Sequence, residues 1–142
     1  MSRCRVRCLA SGVVIALATV IGCGSSGPPV HEVKGKVVYK GKGQIGDLSN
    51  GIVYFQNTSD ADLKAVGAIE DDGSFQMAMF YKDKELPGVM AGTYKARVQP
   101  PRDDSEEDNP RLPIQRKYTD FDKSGLAFTV PVSGEIVIQV ER

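Results

Sequence analysis

Histidine, cysteine and tryptophan are nearly absent from this chain. Its 142 residues contain one histidine, three cysteines and no tryptophan. A hydrolytic triad needs a nucleophile beside a base, and beyond His31 the chain has neither a thiol nor an imidazole. A glycosidase needs only two carboxyl groups at a suitable separation, but nothing in the strand pattern places such a pair in a cleft. We therefore predict that the protein is not an enzyme.

The first 22 residues have the pattern of a secretory signal peptide. Arg3, Arg5 and Arg7 form a basic n-region, and an uncharged, mainly apolar stretch occupies residues 9–21. A membrane-spanning helix needs about 20 mainly apolar residues. This stretch is too short to be one, and we expect an exported protein.

The end of that stretch, Val20-Ile21-Gly22-Cys23, resembles the lipobox of bacterial lipoproteins. The resemblance implies cleavage between Gly22 and Cys23, a diacylglycerol on the Cys23 sulfur and an amide-linked acyl chain such as palmitate. Two or more acyl chains hold a protein stably on a bilayer. Because Gly24 rather than an aspartate follows, the resemblance implies the outer membrane, on its periplasmic or cell-surface side. The alternative for Cys23 is an ordinary buried cysteine. Beyond these lipids we expect no cofactor and no metal.

Cleavage would divide the chain into a signal peptide (1–22), a lipidated flexible tether (23–30) and one domain (31–142). The leader would take Cys4, Cys8 and three arginines with it, leaving 15 basic against 18 acidic residues, a net charge of −3. With a single remaining cysteine no internal disulfide can form, so stability must come from an apolar core. An acidic domain binds phosphate backbones poorly, and we expect no nucleic-acid partner.

Apolar residues in the domain recur with a period of two, which is typical of half-buried strands. The pattern predicts seven strands, over residues 33–40, 51–56, 64–69, 75–79, 94–99, 126–130 and 136–140. No segment after the leader has the period of a helix. We therefore predict an all-β fold, a seven-stranded antiparallel Greek-key β-sandwich of the transthyretin-like or immunoglobulin-like kind.

Two polar features within this pattern have alternative interpretations. Asp71-Asp72-Gly73 predicts a tight turn, since Asp and Gly tolerate positive φ. A calcium site is the alternative, but it needs further oxygen ligands at regular spacing. His31 is interpreted as a solvated residue at the start of a strand rather than a base or a metal ligand.

Residues 100–118 form a long irregular segment with an acidic run. Such a loop in a compact domain is usually functional or disordered. We predict a mobile, solvated loop, with a cation site or a partner-contact site as the alternative. The acidic residues of this contact site are Asp103, Asp104, Glu106, Glu107 and Asp108. The apolar residues from 112 to 118 are expected to dock on the sandwich.

Several turn motifs make the domain similar to one known group. They are Val33-Lys34-Gly35-Lys36-Val37, Asp71-Asp72-Gly73-Ser74-Phe75, Pro87-Gly88, Gly92-Thr93-Tyr94, Lys117-Tyr118 and Ser124-Gly125-Leu126. Together they resemble small planctomycete-type lipoproteins with a carboxypeptidase-regulatory-like, or transthyretin-like, domain. The resemblance implies a non-catalytic module. The related hydroxyisourate hydrolases use core histidines and a Tyr-Arg-Gly-Ser terminus, neither of which is present.

These features predict a membrane-anchored, non-catalytic lipoprotein of the cell envelope. Its β-sandwich is expected to be an interaction or structural module for an envelope protein. The alternative is binding of an envelope polysaccharide or peptidoglycan. Sugar rings stack on exposed aromatic side chains, and the aromatic residues near predicted loops are Tyr81, Tyr118 and Phe121.

Overall fold

The computed structural model describes residues 27–41, 45–102 and 112–142. Over these ranges the chain is all-β and has no α-helix. Its strands are β1 Val30–His31, β2 Lys34–Tyr39, β3 Ile52–Asn57, β4 Lys64–Ala68, β5 Ser74–Gln76, β6 Ala78–Tyr81, β7 Lys84–Leu86, β8 Val89–Met90, β9 Gly92–Gln99, β10 Leu126–Val130 and β11 Ile136–Val140. Two 3₁₀ helices span Ile45–Leu48 and Arg116–Thr119. No helix within the described ranges has the length and hydropathy to span a bilayer.

The strands form three sheets. The largest has six antiparallel strands in the order β10-β9-β3-β4-β6-β7. The second has the order β11-β2-β5, and β1 pairs with β8 in a third, two-stranded sheet. Inward side chains of both larger sheets share one apolar core, as expected for an all-β sandwich. Its largest fully buried members are Tyr94, Phe55, Leu48, Ile69, Met77, Met79 and Ile138.

The period-two pattern located the main strands correctly. In chain order, the seven predicted segments coincide with β2, β3, β4, the pair β5 and β6, β9, β10 and β11. The inward positions of β9, namely Tyr94, Ala96 and Val98, are fully buried. The strand predicted over residues 51–56 is a central one, because β3 lies between β9 and β4.

The predicted single strand over residues 75–79 is wrong in one respect. The chain changes sheets at Met77: β5 pairs with β2, whereas β6 pairs with β4. The Met77 N–H donates to the Val33 carbonyl at 2.9 Å, and its side chain is buried. Phe75, Met77 and Met79 all point into the same core, so their alternation continues through the crossing and does not reveal it.

The prediction of purely antiparallel pairing is also corrected. β11 pairs with β2 in parallel, with Ile138 opposite Val37. Side chains alternate between faces in both kinds of ladder, so alternation gives no strand direction. The predicted count of seven strands is also too low, because residues 75–79 form two strands and the period-two pattern does not show β1, β7 and β8. These three strands have only two or three residues each, too few to show a period.

The turn predicted at Asp71-Asp72-Gly73 is present. Gly73 has a φ of +85°, and its N–H donates to the Glu70 carbonyl at 2.9 Å. The Ser74 N–H donates to the Asp72 carboxylate at 2.9 Å. The predicted docking of residues 112–118 is also confirmed, because Ile114 and Tyr118 are buried in the core.

Candidate functional site

Two predicted sites lie outside the described residues. These are the lipidation and cleavage site, Gly22 and Cys23, and the acidic contact site, Asp103, Asp104, Glu106, Glu107 and Asp108. Lipidation of Cys23 and partner contact through the acidic residues therefore stay predictions.

The other candidate ligands are dispersed or occupied by local hydrogen bonds. His31 is half-buried in β1. Asp71 accepts a hydrogen bond from the Ser49 hydroxyl. Hydrogen bonds from the side chain and backbone of Ser74 lower the pKa of Asp72. Across residues 27–41, 45–102 and 112–142, no three His, Cys, Asp or Glu side chains are grouped to hold a metal ion.

The most distinctive arrangement is on the outer face of the six-stranded sheet, where an arginine lies between two aromatic rings. We call Arg97, Tyr54 and Phe121 the Arg97 cluster. Tyr54 of β3 is directly opposite Arg97 of β9. The guanidinium carbon lies 4.6 Å from the Tyr54 ring centroid and 5.0 Å from that of Phe121. Both distances are within the range of cation–π attraction.

Hydrogen bonds among the described residues involve only part of the Arg97 guanidinium. Nη1 donates to the Thr119 carbonyl at a long 3.4 Å. Nε is buried and has no hydrogen-bond partner among the described residues. None of the ion pairs in the described part of the chain involves Arg97. The cluster therefore carries a positive charge that the described carboxylates do not neutralise.

A turn of residues 120–124 holds Phe121 over β9. The Asp120 carboxylate accepts the N–H groups of Asp122 at 2.8 Å and Lys123 at 3.3 Å. The first of these bonds is the main reason that the pKa of Asp120 is lowered. Ser124 then donates its hydroxyl to the Ala96 carbonyl at 2.6 Å, one residue before Arg97. These bonds fix the second ring of the cluster relative to the first.

Arg142 provides a useful comparison, because it also stacks on an aromatic ring. Its guanidinium carbon lies 4.6 Å from the Tyr39 ring centroid. Within the described residues Arg142 forms an ion pair, with Nη2 2.9 Å from the Asp47 carboxylate, and Arg97 forms none. Stacking alone therefore does not distinguish the Arg97 cluster. The second ring, Phe121, and the Nε that has no partner among the described residues distinguish Arg97 from Arg142.

Two apolar side chains lie in the same row of the sheet as the Arg97 cluster. In register with Arg97 and Tyr54 lie Val66 on β4 and Ala78 on β6, all partly exposed on the outer face. Lys95, on the same face, is paired with Asp122. A planar guanidinium binds carboxylates through two parallel hydrogen bonds. Arginine and tyrosine are also enriched among residues that dominate protein–protein binding energies.

No family model, curated protein or solved structure matches the chain. The function of the Arg97 cluster therefore has to follow from its own residues. Sequence reasoning identified Phe121 as an aromatic residue near a loop but missed Tyr54 and Arg97. Alternation along residues 94–99 places Arg97 on an outer face, but residues 51–56 are apolar on both faces. The contact between Tyr54 and Arg97 depends on the pairing of β3 with β9, which local sequence does not specify.

A second polar group, formed by Glu141, Lys40 and Lys117, has a structural role. The Glu141 carboxylate accepts hydrogen bonds from Lys40 at 2.9 Å and Lys117 at 3.1 Å. These bonds lower the pKa of Glu141 and raise the pKa values of both lysines. The charges of these three side chains are paired with one another. The group connects the end of β11 to β2 and to the 3₁₀ helix that carries Tyr118.

Proposed function

We propose that the protein is a non-catalytic, lipid-anchored lipoprotein of the cell envelope whose β-sandwich binds a protein partner. The basic and apolar leader followed by the lipobox-like Val20-Ile21-Gly22-Cys23 supports export and anchoring at Cys23 in the outer membrane. The acidic run from Asp103 to Asp108 is proposed as a second contact for the partner.

For the fold, we propose a variant of the transthyretin-like, carboxypeptidase-regulatory-like Greek-key sandwich. The seven longer predicted segments form the body of the two larger sheets, which supports this assignment. The parallel pairing of β11 with β2 brings the last strand beside the first long one. The short strands β1, β7 and β8 are additions to the eight strands that those seven segments form.

The observation that carries the proposed interaction is the Arg97 cluster. A half-buried guanidinium held between two rings is already ordered, so a partner would immobilise few further side chains on binding. Among the described residues the guanidinium has one side-chain hydrogen bond, from Nη1 to Thr119, so its remaining Nη donors are suited to a carboxylate of the partner. The apolar side chains of Val66 and Ala78 beside it offer the rest of a contact surface.

The test is affinity capture from the native host after cross-linking, using the tagged full-length chain. We expect a near-stoichiometric protein partner with the unmodified chain. Arg97→Ala is expected to lower recovery by about 30-fold, as for loss of about 2 kcal/mol at a dominant contact. Arg142→Ala is the matched control, because it removes a stacked arginine elsewhere and should leave recovery unchanged. Equal recovery from both variants would contradict the proposed role of Arg97.

The second candidate function is binding of an envelope polysaccharide or peptidoglycan. Exposed aromatic side chains favour it: Phe80 is 58 % exposed, and Tyr81 and Phe121 are partly exposed, whereas Tyr118 is buried. Calorimetry with envelope glycans tests this candidate. Binding heat that Phe80→Ala or Phe121→Ala abolishes would support it, and no heat with any glycan would remove it.

A further inference from the structure

The β6–β7 hairpin lies beside the point where the tether joins the domain. Gly27 lies against Leu86 of β7, whose Cδ2 would be 3.5 Å from a Cβ placed on that glycine. Gly27 and Pro28 also line a groove of about 380 Å³ together with Tyr81, Lys82, Lys84 and Leu86. The hairpin and the end of the tether therefore form one continuous surface.

The hairpin presents its two lysines to this groove. Lys82 and Asp83 form its two-residue loop, with φ values of 48° and 60°, as in the tight turns that match the twist of paired strands. Lys84 is opposite Tyr81 on the groove side, whereas Glu85 is opposite Phe80 on the other side. Among the described residues that line the groove, none is a carboxylate.

The distance from this groove to the proposed lipid anchor is short, and the inference rests on that proposed function. Cys23 precedes Gly27 by four residues. At full extension, four residues span at most about 14 Å. The acyl chains on Cys23 would enter the hydrocarbon layer, so the groove cannot lie far from the lipid headgroups.

We propose that the β6–β7 hairpin seats the domain on the anionic phospholipid headgroups of the membrane that holds the anchor. Lys82 and Lys84 place positive charge on the groove side, whereas Asp83 is in the loop and Glu85 is on the other side of the hairpin. Attraction of the lysines to an anionic surface acts within a Debye length. Aromatic rings favour the boundary between headgroups and hydrocarbon, and Phe80 and Tyr81 are at this tip. The Lys82 ammonium lies 5.2 Å from the Tyr81 ring centroid, which keeps charge and ring together.

This seating fixes the orientation of the sandwich. β9 is separated from β6 by β3 and β4 in the sheet. With adjacent strands about 4.8 Å apart, Arg97 lies about 14 Å across the sheet from β6, and Tyr54 about 10 Å. A domain seated through β6 and β7 therefore keeps the Arg97 cluster away from the headgroups and accessible to a partner.

Two exposed apolar residues provide a matched pair of probes, since the chain has no tryptophan. Phe80 on the hairpin and Val137 on β11, an edge strand of the other sheet, are 58 % and 56 % exposed. Phe80→Trp and Val137→Trp each introduce a single tryptophan into the full chain. Both proteins are reconstituted into vesicles of phosphatidylcholine with brominated phosphatidylglycerol, and fluorescence quenching is recorded.

We expect several-fold stronger quenching and a blue shift for Phe80→Trp, and little quenching for Val137→Trp. Adding Lys82→Glu and Lys84→Glu to Phe80→Trp should abolish this quenching while the protein still sediments with the vesicles, because the acyl chains hold it. Equal quenching of both probes, or quenching that survives the charge reversal, would overturn the seating. A lipobox-processed chain that fails to sediment would instead overturn the anchor, and the seating with it.

Discussion

The Ser124 hydroxyl donates to the Ala96 carbonyl at 2.6 Å, and Ser124 is the one buried polar side chain in the described part of the chain. Its Oγ also accepts the Leu126 N–H at 3.2 Å. Ser124 thus connects the turn that carries Phe121 to the strand that carries Arg97. Ser124→Ala is expected to lower the free energy of unfolding by about 1–3 kcal/mol, because buried backbone groups lose their partner. Urea unfolding measures this, and Ser133→Ala in an exposed turn is the control.

Gly35 lies on the middle strand of the β11-β2-β5 sheet, where its neighbours on β11 and β5 leave no room for a side chain. A Cβ at Gly35 would lie 2.4 Å from the Ile136 carbonyl oxygen and 2.5 Å from the Phe75 ring. Gly35→Ala is therefore expected to destabilise the protein by about 1–3 kcal/mol through overpacking. Gly46→Ala is the matched control, since nothing lies within 4 Å of its added Cβ. Similar urea midpoints for the two variants would contradict the packing described for β2, β5 and β11.

Glu141 is expected to make stability depend on acid pH. Hydrogen bonds from Lys40 and Lys117 hold its pKa below the ordinary value of 4.5. A depressed pKa in the folded state contributes stability above the unfolded-state pKa, and this contribution is lost as pH falls through the folded-state value. Glu141→Gln should therefore lose less stability than the unmodified chain between pH 6 and pH 2. Parallel urea-unfolding profiles for the two proteins would contradict this expectation.

Met77 shows how much of the fold local sequence predicts. The alternation of Phe75, Met77 and Met79 correctly places all three in the core, because a core-facing side chain is apolar whichever sheet carries it. It does not reveal that the pairing partner changes at this residue, from β2 for β5 to β4 for β6. Strand partners depend on contacts between residues that are distant in sequence, which a local period does not contain.

The same limit applies to the candidate site. Phe121 was recognised because it lies near a predicted loop, whereas Arg97 and Tyr54 were not identified as candidate residues. The stacking of Arg97 between Tyr54 and Phe121 depends on the pairing of β3 with β9 and on the Ser124–Ala96 hydrogen bond. Both are tertiary features. The sequence predicts which faces are polar or apolar, but not which outer residues become neighbours.

Lipidation at Cys23 is the central claim, since both the envelope location and the seating of the hairpin depend on it. The most direct measurement is fractionation of the native host with intact-mass analysis of the full-length gene product. We predict that the unmodified protein is in the membrane fraction and carries the mass of its acyl chains. Cys8→Ala, which changes a leader cysteine, should behave identically, whereas Cys23→Ala should lose both the added mass and the membrane association. A Cys23→Ala protein that stays in the membrane fraction would contradict the account.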